Sequence, residues 1–145
     1  YEPALKIVFD AKPDIFSHNV ECVERISKAV RAQANWQRSL DVLKKSIKYG
    51  LRTKTGIMVG LGEEAKEVKE TMRQVVDLGV QIFTIGQYLQ PTKNHLKVQE
   101  YVSKEQFEAY KEYGYSIGFK VVESGPLVRS SYHADEQARM VFNNG

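Results

Sequence analysis

Four short stretches gather side chains able to bind or move a small molecule. They are Ser17-His18-Asn19 with Glu21, Gly60-Leu61-Gly62 with Glu63, Gly86-Gln87-Tyr88-Leu89-Gln90-Pro91, and Arg129-Ser130-Ser131-Tyr132-His133. Amides, imidazoles and hydroxyls converging on one place make a ligand pocket. Gly60 and Gly62 remove Cβ atoms where a ligand can approach the backbone, and amides at the helix start after them can bind a carboxylate or phosphate. Plain structural duties compete at each point. Asn19 suits an N-cap, Glu21 a first-turn acid favoured by the helix dipole, Tyr88 simple packing, and His95 a solvated loop. A two-glycine turn names no ligand. His133 has the chemistry of a general base, but spacing alone establishes no Ser-His-Asp arrangement. The Arg129–His133 run has the fewest structural alternatives, since a merely mobile tail needs no such set of functional groups.

The elements that must position these residues alternate between strand and helix. Leu5 to Phe9 suggests a helix closed near Pro13. A short strand over 14–19 precedes a helix over 21–30 with Val23, Ile26 and Val30 on one face. A second helix over 36–49 repeats Trp36, Leu40, Leu43 and Ile47, and Gly50 closes it. An apolar strand over 53–59 suits burial on both faces. Next come a helix over 63–78 with Gly79 as its C-cap, a strand over 80–86 and a polar, proline-marked loop over 87–98. A helix over 104–118 follows, N-capped by Ser103. A strand over 119–123, an irregular tail over 125–135 and a terminal helix over 136–142 complete the chain. This alternation predicts an α/β fold with a parallel sheet and helical crossovers. All four polar stretches then fall on the rim formed by the carboxyl ends of the strands. Four strands are too few to close an eight-stranded barrel, which leaves a small open sheet or the second half of a barrel.

Composition narrows the class. The chain has 145 residues, 42% hydrophobic and 27% charged, with a net charge of +3. That is the balance of a globular domain with one modest core. The mild basic excess is dispersed among acids and does not point to nucleic acid. No apolar run approaches the length of a membrane-spanning helix, and no signal peptide is visible. The single cysteine, Cys22, excludes an internal disulfide framework and any cysteine-only metal site. The opening Tyr1-Glu2-Pro3 reads as the start of a piece cut from a longer chain.

Two strings are highly specific. TIGQYLQPTKNHLKV (Thr84 to Val98) and SGPLVRSSYHAD (Ser124 to Asp135) resemble the lipoyl synthase family of radical S-adenosylmethionine enzymes. So do SHNVE (Ser17 to Glu21) and TKTGIMVGLGE (Thr53 to Glu63), in the family's order. The resemblance implies a partial β/α barrel with S-adenosylmethionine and two four-iron four-sulfur clusters as cofactors. One cluster, held by a C-x-x-x-C-x-x-C motif, cleaves S-adenosylmethionine to a 5′-deoxyadenosyl radical. The other is consumed as two sulfur atoms enter at C6 and C8 of a protein-bound octanoyl group, the sulfur-transfer step of lipoate biosynthesis. The implied partners are an octanoylated lipoyl-carrier protein or domain and an electron donor, with no nucleic acid and no membrane. The implied location is the cytoplasm, or the mitochondrial or plastid matrix in a eukaryote.

Residue by residue, the resemblance makes Ser131 a catalytic metal ligand of the sacrificial cluster. Arg129 would steady the charge of the tail beside it. Gly56-x-Met58-x-Gly60-x-x-Glu63 resembles a radical S-adenosylmethionine strand motif, with Met58 in place of Ile, and assigns Gly60 and Glu63 to cofactor binding. Asn19 and Glu21 are expected at the methionyl or ribose part, and Gln87, Tyr88 and Leu89 near the adenine. Both cysteine motifs of the family are missing, and Cys22 is not at a ligand position. The whole of residues 1–145 therefore reads as the C-terminal part of the barrel with its RSSY tail, inactive by itself. A non-catalytic half-barrel binding module is the alternative. An unrelated α/β enzyme using His133 as its base is a third reading, and it leaves RSSYHAD unexplained.

Overall fold

The computed structural model describes Ile7, Asp10, Ala11 and residues 15–30 and 34–128. The expected terminal helix, Arg129 and Ser131 lie outside these residues, as does most of the expected opening helix. The element order is β1 (Phe16–Ser17), α1 (Glu24–Val30), α2 (Ala34–Lys48), β2 (Thr53–Val59), α3 (Ala65–Leu78), β3 (Ile82–Gln87), α4 (Lys104–Ile117) and β4 (Val121–Gly125). The strands form one sheet in the order β1-β2-β3-β4, and every pairing is parallel. This is the expected α/β fold, an open arc of parallel strands that fits part of a β/α barrel.

Sheet pleating separates two faces. Ile57, Val59, Phe83, Ile85 and Val122 point toward the helices and join Leu43, Val68, Met72, Val75 and Phe107 in the main core. Phe83 and Phe119 stack within it, their centroids 5.2 Å apart. Trp36 is buried here too, and its Nε1 donates to the carbonyl of Cys22 at 2.9 Å. Lys54, Gly56, Met58, Ile82, Thr84, Gly86 and Glu123 alternate with the core residues and occupy the opposite, inner face of the arc. There Ile82 and Val121 pack with Ile15.

Local chemistry sets the element ends. Ser103 caps α4 by accepting from the amide of Gln106 at 3.1 Å. Gly79 and Gly118 end α3 and α4 in the left-handed conformation. The residue after each glycine still belongs to the helix closure, because Val80 donates to the carbonyl of Val75 and Phe119 to that of Gly114. That pattern satisfies the last helical carbonyls, and it explains why β3 and β4 begin two residues later than the apolar runs suggest. Both strands also run further at their carboxyl ends, where Val59 pairs with Gln87 and Gly86 with Gly125.

The largest departure from expectation lies between β1 and α1. The helix expected from Glu21 begins at Glu24. Glu21 instead bridges to Ile57 of β2, donating to Gly56 O at 3.2 Å and accepting from Met58 N at 2.9 Å. Glu21 is therefore an extension of the sheet, not a first-turn acid. Asn19 is too far from Glu24 to be the N-cap of α1. Similarly, α3 begins at Ala65 and not Glu63, because the Glu63 side chain turns back onto its own loop.

Candidate active site at the carboxyl ends of the strands

On the inner face, at the carboxyl ends of the strands, lies a concavity of about 210 Å³. Asn19, Glu21, Gly56, Met58, Thr84, Gly86 and Gln87 line it, with Val128 closing one side. In parallel α/β sheets this end of the strands is where ligands sit. Gly56 and Gly86 shape its floor. A Cβ on Gly56 would stand 2.0 Å from Thr84 Oγ1, and one on Gly86 would stand 2.6 Å from the carbonyl of Val128. A larger groove, about 600 Å³, runs between α1, α2 and α3 beside Arg25, Trp36 and Thr71. It belongs to the helical layer, away from the strand ends, so the smaller concavity is the better candidate for chemistry.

Two features set the β1 end of the concavity apart. Asn19 Oδ1 is buried with no hydrogen-bond partner among the described residues. Buried acceptors are nearly always satisfied, so a donor supplied by a ligand would complete this one. Glu21 has φ +84, the one positive value at a non-glycine among the described residues. Such a conformation costs roughly 1–3 kcal/mol and gathers at functional sites. The two backbone bonds to β2 hold it there.

The glycine turn after β2 is occupied differently. Glu63 is buried, and its carboxylate accepts from the amide of Gly60 through both oxygens at 3.1 Å and from Leu61 at 2.9 Å. The amides expected to bind an external anion are thus taken by the chain's own carboxylate. Gly60 has φ +97, and a Cβ there would lie 2.3 Å from Gln87 Nε2 and 2.4 Å from Glu100 O. The missing side chain admits a neighbouring loop. Gln87 anchors that loop: Nε2 donates to the carbonyls of Tyr88 and Glu100 at 3.0 Å, and Oε1 accepts from Val102 N at 2.9 Å. Tyr88 donates its hydroxyl to Leu96 O at 2.7 Å. Leu89 is exposed. Behind this network, burial and the charges of Glu63 and Glu100 push the Tyr110 phenol up to about 12.

Of the residues expected at the site, Asn19, Glu21 and Gln87 meet at the concavity. Gly60, Glu63 and Tyr88 build the adjoining turn and loop, and Leu89 faces outward. Gly86, which opened one of the four polar stretches, lines the cavity, and so does Thr84, to which no role was assigned although a threonine within an otherwise apolar strand was a visible clue. Arg25 carried no such clue. It binds the Glu67 carboxylate through Nε and Nη2 at 2.8 and 2.9 Å and Gly62 O at 2.9 Å, tying α1 to the β2 turn. Glu67 in turn accepts from Glu64 N at the start of α3.

A family model described as the Radical SAM superfamily matches residues 2–75, and the chain belongs to that superfamily. It is also 54% identical over 136 residues to a protein named lipoyl synthase from Leptospira interrogans, covering 94% of this chain and 45% of that one. Proteins of the same name from Rubrobacter xylanophilus and Phocaeicola vulgatus are 54% and 52% identical, with 92% and 93% of this chain covered and 42% and 48% of theirs. The chain thus spans about half the length of the curated relatives it matches.

Membership implies S-adenosylmethionine and iron–sulfur chemistry. What the concavity offers the first is an acceptor, Asn19 Oδ1, without a partner among the described residues, above a floor where Thr84 and Val128 crowd the two glycines. The described residues do not fit a cluster. They hold one cysteine, Cys22, which is buried, and no group of three or more His, Cys, Asp or Glu side chains placed to bind a metal. No described helix is long and apolar enough to cross a membrane.

Proposed function

We propose that this chain is the S-adenosylmethionine-binding, C-terminal part of a lipoyl synthase, which inserts two sulfur atoms at C6 and C8 of a protein-bound octanoyl group. The observation that carries the reading is the similarity, at more than half identity, to proteins of that name across nearly the whole chain. The concavity at the strand ends supports it. In this reading Asn19 and Glu21 take the methionyl or ribose polar groups, and Gln87 positions the loop that borders the adenine. Gly60, Glu63, Tyr88 and Leu89 belong to the same cofactor-binding rim. Glu63 and Tyr88 act by holding its backbone in place.

The remaining assignments follow the same reading. Two four-iron four-sulfur clusters serve the whole enzyme, with their cysteine ligands outside this sequence. Ser131 supplies an oxygen ligand to the sacrificial one, and Arg129 steadies it. Serine alkoxide is a hard ligand beside soft thiolates, which suits a cluster that is to be dismantled. The partners are an octanoylated lipoyl-carrier domain and an electron donor, and the setting is the cytoplasm or an organelle matrix.

The test is a single-turnover assay of a full-length protein carrying this sequence, with lipoyl product and 5′-deoxyadenosine measured together. Ser131→Ala should lose lipoyl product while still forming 5′-deoxyadenosine, and Ser130→Ala should be milder. Equal loss of both products in Ser131→Ala, or a harmless Ser131→Ala beside an inactive Ser130→Ala, overturns the assignment of Ser131. Absence of lipoyl product from the unaltered protein, with clusters and reductant supplied, favours the non-catalytic binding module.

A further inference from the structure

β1 and β2 do not stay in step. Phe16 stands opposite Thr53 and Ser17 opposite Lys54, and His18 N still donates to Lys54 O at 3.1 Å. In an unbroken parallel ladder Val20 would come next, opposite Ile57, and give its amide to Gly56 O. Glu21 holds that place instead, and Gly56 O accepts from the Glu21 amide. One extra residue is therefore inserted on the β1 side, the geometry of a β-bulge, here between parallel strands. The insertion leaves the amide of Val20, a buried residue, without a ladder acceptor. The Thr55 hydroxyl takes that amide, at 3.2 Å.

Packing alone does not call for a hydroxyl at this position. Thr55 is fully buried and shares the helix-facing side of β2 with Ile57 and Val59, both in the main core. A valine would fill the same space. What the hydroxyl adds is the bond to Val20, and Val20 lies between Asn19 and Glu21, which line the concavity. The two ends of this segment are fixed by α2. His18 Nε2 and Ser39 Oγ share a hydrogen bond at 3.2 Å, and Trp36 Nε1 donates to the carbonyl of Cys22 at 2.9 Å. Bulges gather beside active sites, where they re-aim a side chain. The side chain presented here is that of Asn19, whose Oδ1 has no partner among the described residues.

We propose that Thr55 is a positioning residue for the ligand of the concavity: its hydroxyl holds the Val20 amide and so fixes the backbone that presents Asn19 and Glu21. The inference rests on the proposed function, which puts S-adenosylmethionine in that concavity. Thr55 lies on the other face of β2 and acts through the segment, not by contact with the ligand.

The experiment measures the dissociation constant of S-adenosylmethionine by calorimetry, and the urea midpoint, in the full-length protein. The variants are Thr55→Val, Thr55→Ser, Asn19→Ala and the double variant Thr55→Val with Asn19→Ala. Thr55→Val keeps the shape and strands the Val20 amide, so affinity should fall about fivefold or more, the scale of one lost hydrogen bond. Thr55→Ser gives up a buried methyl group, and with it some stability, but keeps the hydroxyl. Its affinity should stay close to that of the unaltered protein. In the Asn19→Ala background Thr55→Val should cost less affinity than it does alone, because part of its effect passes through the Asn19 side chain. Should Thr55→Val not fold, Thr55→Ala removes the same hydroxyl and carries the same expectation. Unchanged affinity in folded Thr55→Val, a Thr55→Ser variant that binds as poorly as Thr55→Val, or a full further loss in the double variant overturns the proposal. Each of these leaves the proposed function standing, since the unaltered protein still binds the ligand. An unaltered protein that binds no S-adenosylmethionine overturns the proposed function, and this inference with it.

Discussion

The β1 and β2 ends of the sheet both turn sharply, and both carry an acid followed by a helix, yet they are finished in opposite ways. After β2, every conspicuous polar group is answered from within. Glu63 takes the amides of Gly60 and Leu61, Gly60 O accepts from Gln99 and Glu100, and Gln87 fills the space beside Gly60. After β1, Asn19 Oδ1 has no partner among the described residues and Glu21 is held at a strained φ. The glycine-rich turn looks more like a binding site in the sequence, but it is a joint. The unremarkable Asn19-Val20-Glu21 segment is the end that leaves a buried acceptor without a partner among the described residues. Glycine enrichment marks close approach without saying whether ligand or protein approaches, whereas an unsatisfied buried acceptor calls for a donor from beyond the described residues.

Breaking the joint should have the largest effect. Gly60→Val would place a side chain at φ +97 against Gln87 and the Glu100 carbonyl. The combined strain and overlap should cost about 3–5 kcal/mol, read as a lowered urea midpoint in the full-length protein. A variant that stays stable and loses only S-adenosylmethionine affinity would move Gly60 to the ligand side of the comparison. Gln87→Leu comes next. It strands the amide of Val102 and the carbonyl of Glu100, at a cost of about 2–3 kcal/mol. Hydrogen exchange should accelerate across Tyr88 to Val102 and stay slow in β2.

At the β1 end the expected balance reverses. Asn19→Ala has no bond to Oδ1 to lose among the described residues, so stability should change by less than about 1 kcal/mol, while S-adenosylmethionine affinity falls about fivefold or more for one missing hydrogen bond. A large stability loss with unchanged affinity would mean that both ends are joints.

The smallest effect belongs to the tie between the two ends. The bond from Arg25 holds the Glu67 carboxyl at about 2, well below its ordinary 4.5. A depressed carboxylate contributes stability that is complete above the ordinary value and is lost as pH falls toward 2. Arg25 is largely exposed, so solvent screens the pair. Arg25→Ala should lower the melting temperature slightly at pH 7 and not at pH 2, with a difference of at most about a few degrees. Equal shifts at both pH values would assign the effect to lost packing instead.

Most of the scaffold was legible because its determinants are local. The apolar block of β2 gave its bounds, Ser103 and Gly118 gave those of α4, and Gly79 gave the end of α3. The β1–α1 connection was not legible, because the conformation of Glu21 is imposed by Gly56 and Met58 on a distant strand, with no local trace. The roles of Gln87 and Arg25 were hidden for the same reason: each is defined by partners far along the chain. Asn19, expected at the methionyl or ribose part of the cofactor, lines the concavity, while its competing role as a cap fell away once the helix proved to begin later. Gly60 and Glu63 lie beside the concavity, but their visible work is to shape the turn. The resemblance of the Arg129–Asp135 string led the reading to Ser131, which lies outside the described residues.

The left-to-right order of the sheet also bears on how the protein is made. A chain emerging from the ribosome would deliver β1, β2, β3 and β4 in the sequence in which they lie side by side. Each arriving strand would find its neighbour only a few dozen residues back, with one or two helices to fill the loop, so no strand need wait for a later one. The cost of closing each loop grows only slowly with its length, and domains commonly begin to fold from the N-terminal side during synthesis. A sheet extended at a single edge also inherits its alignment. A slip of β2 against β1 would be copied into β3 and then β4, and the tie of Glu21 to Gly56 and Met58 guards that alignment.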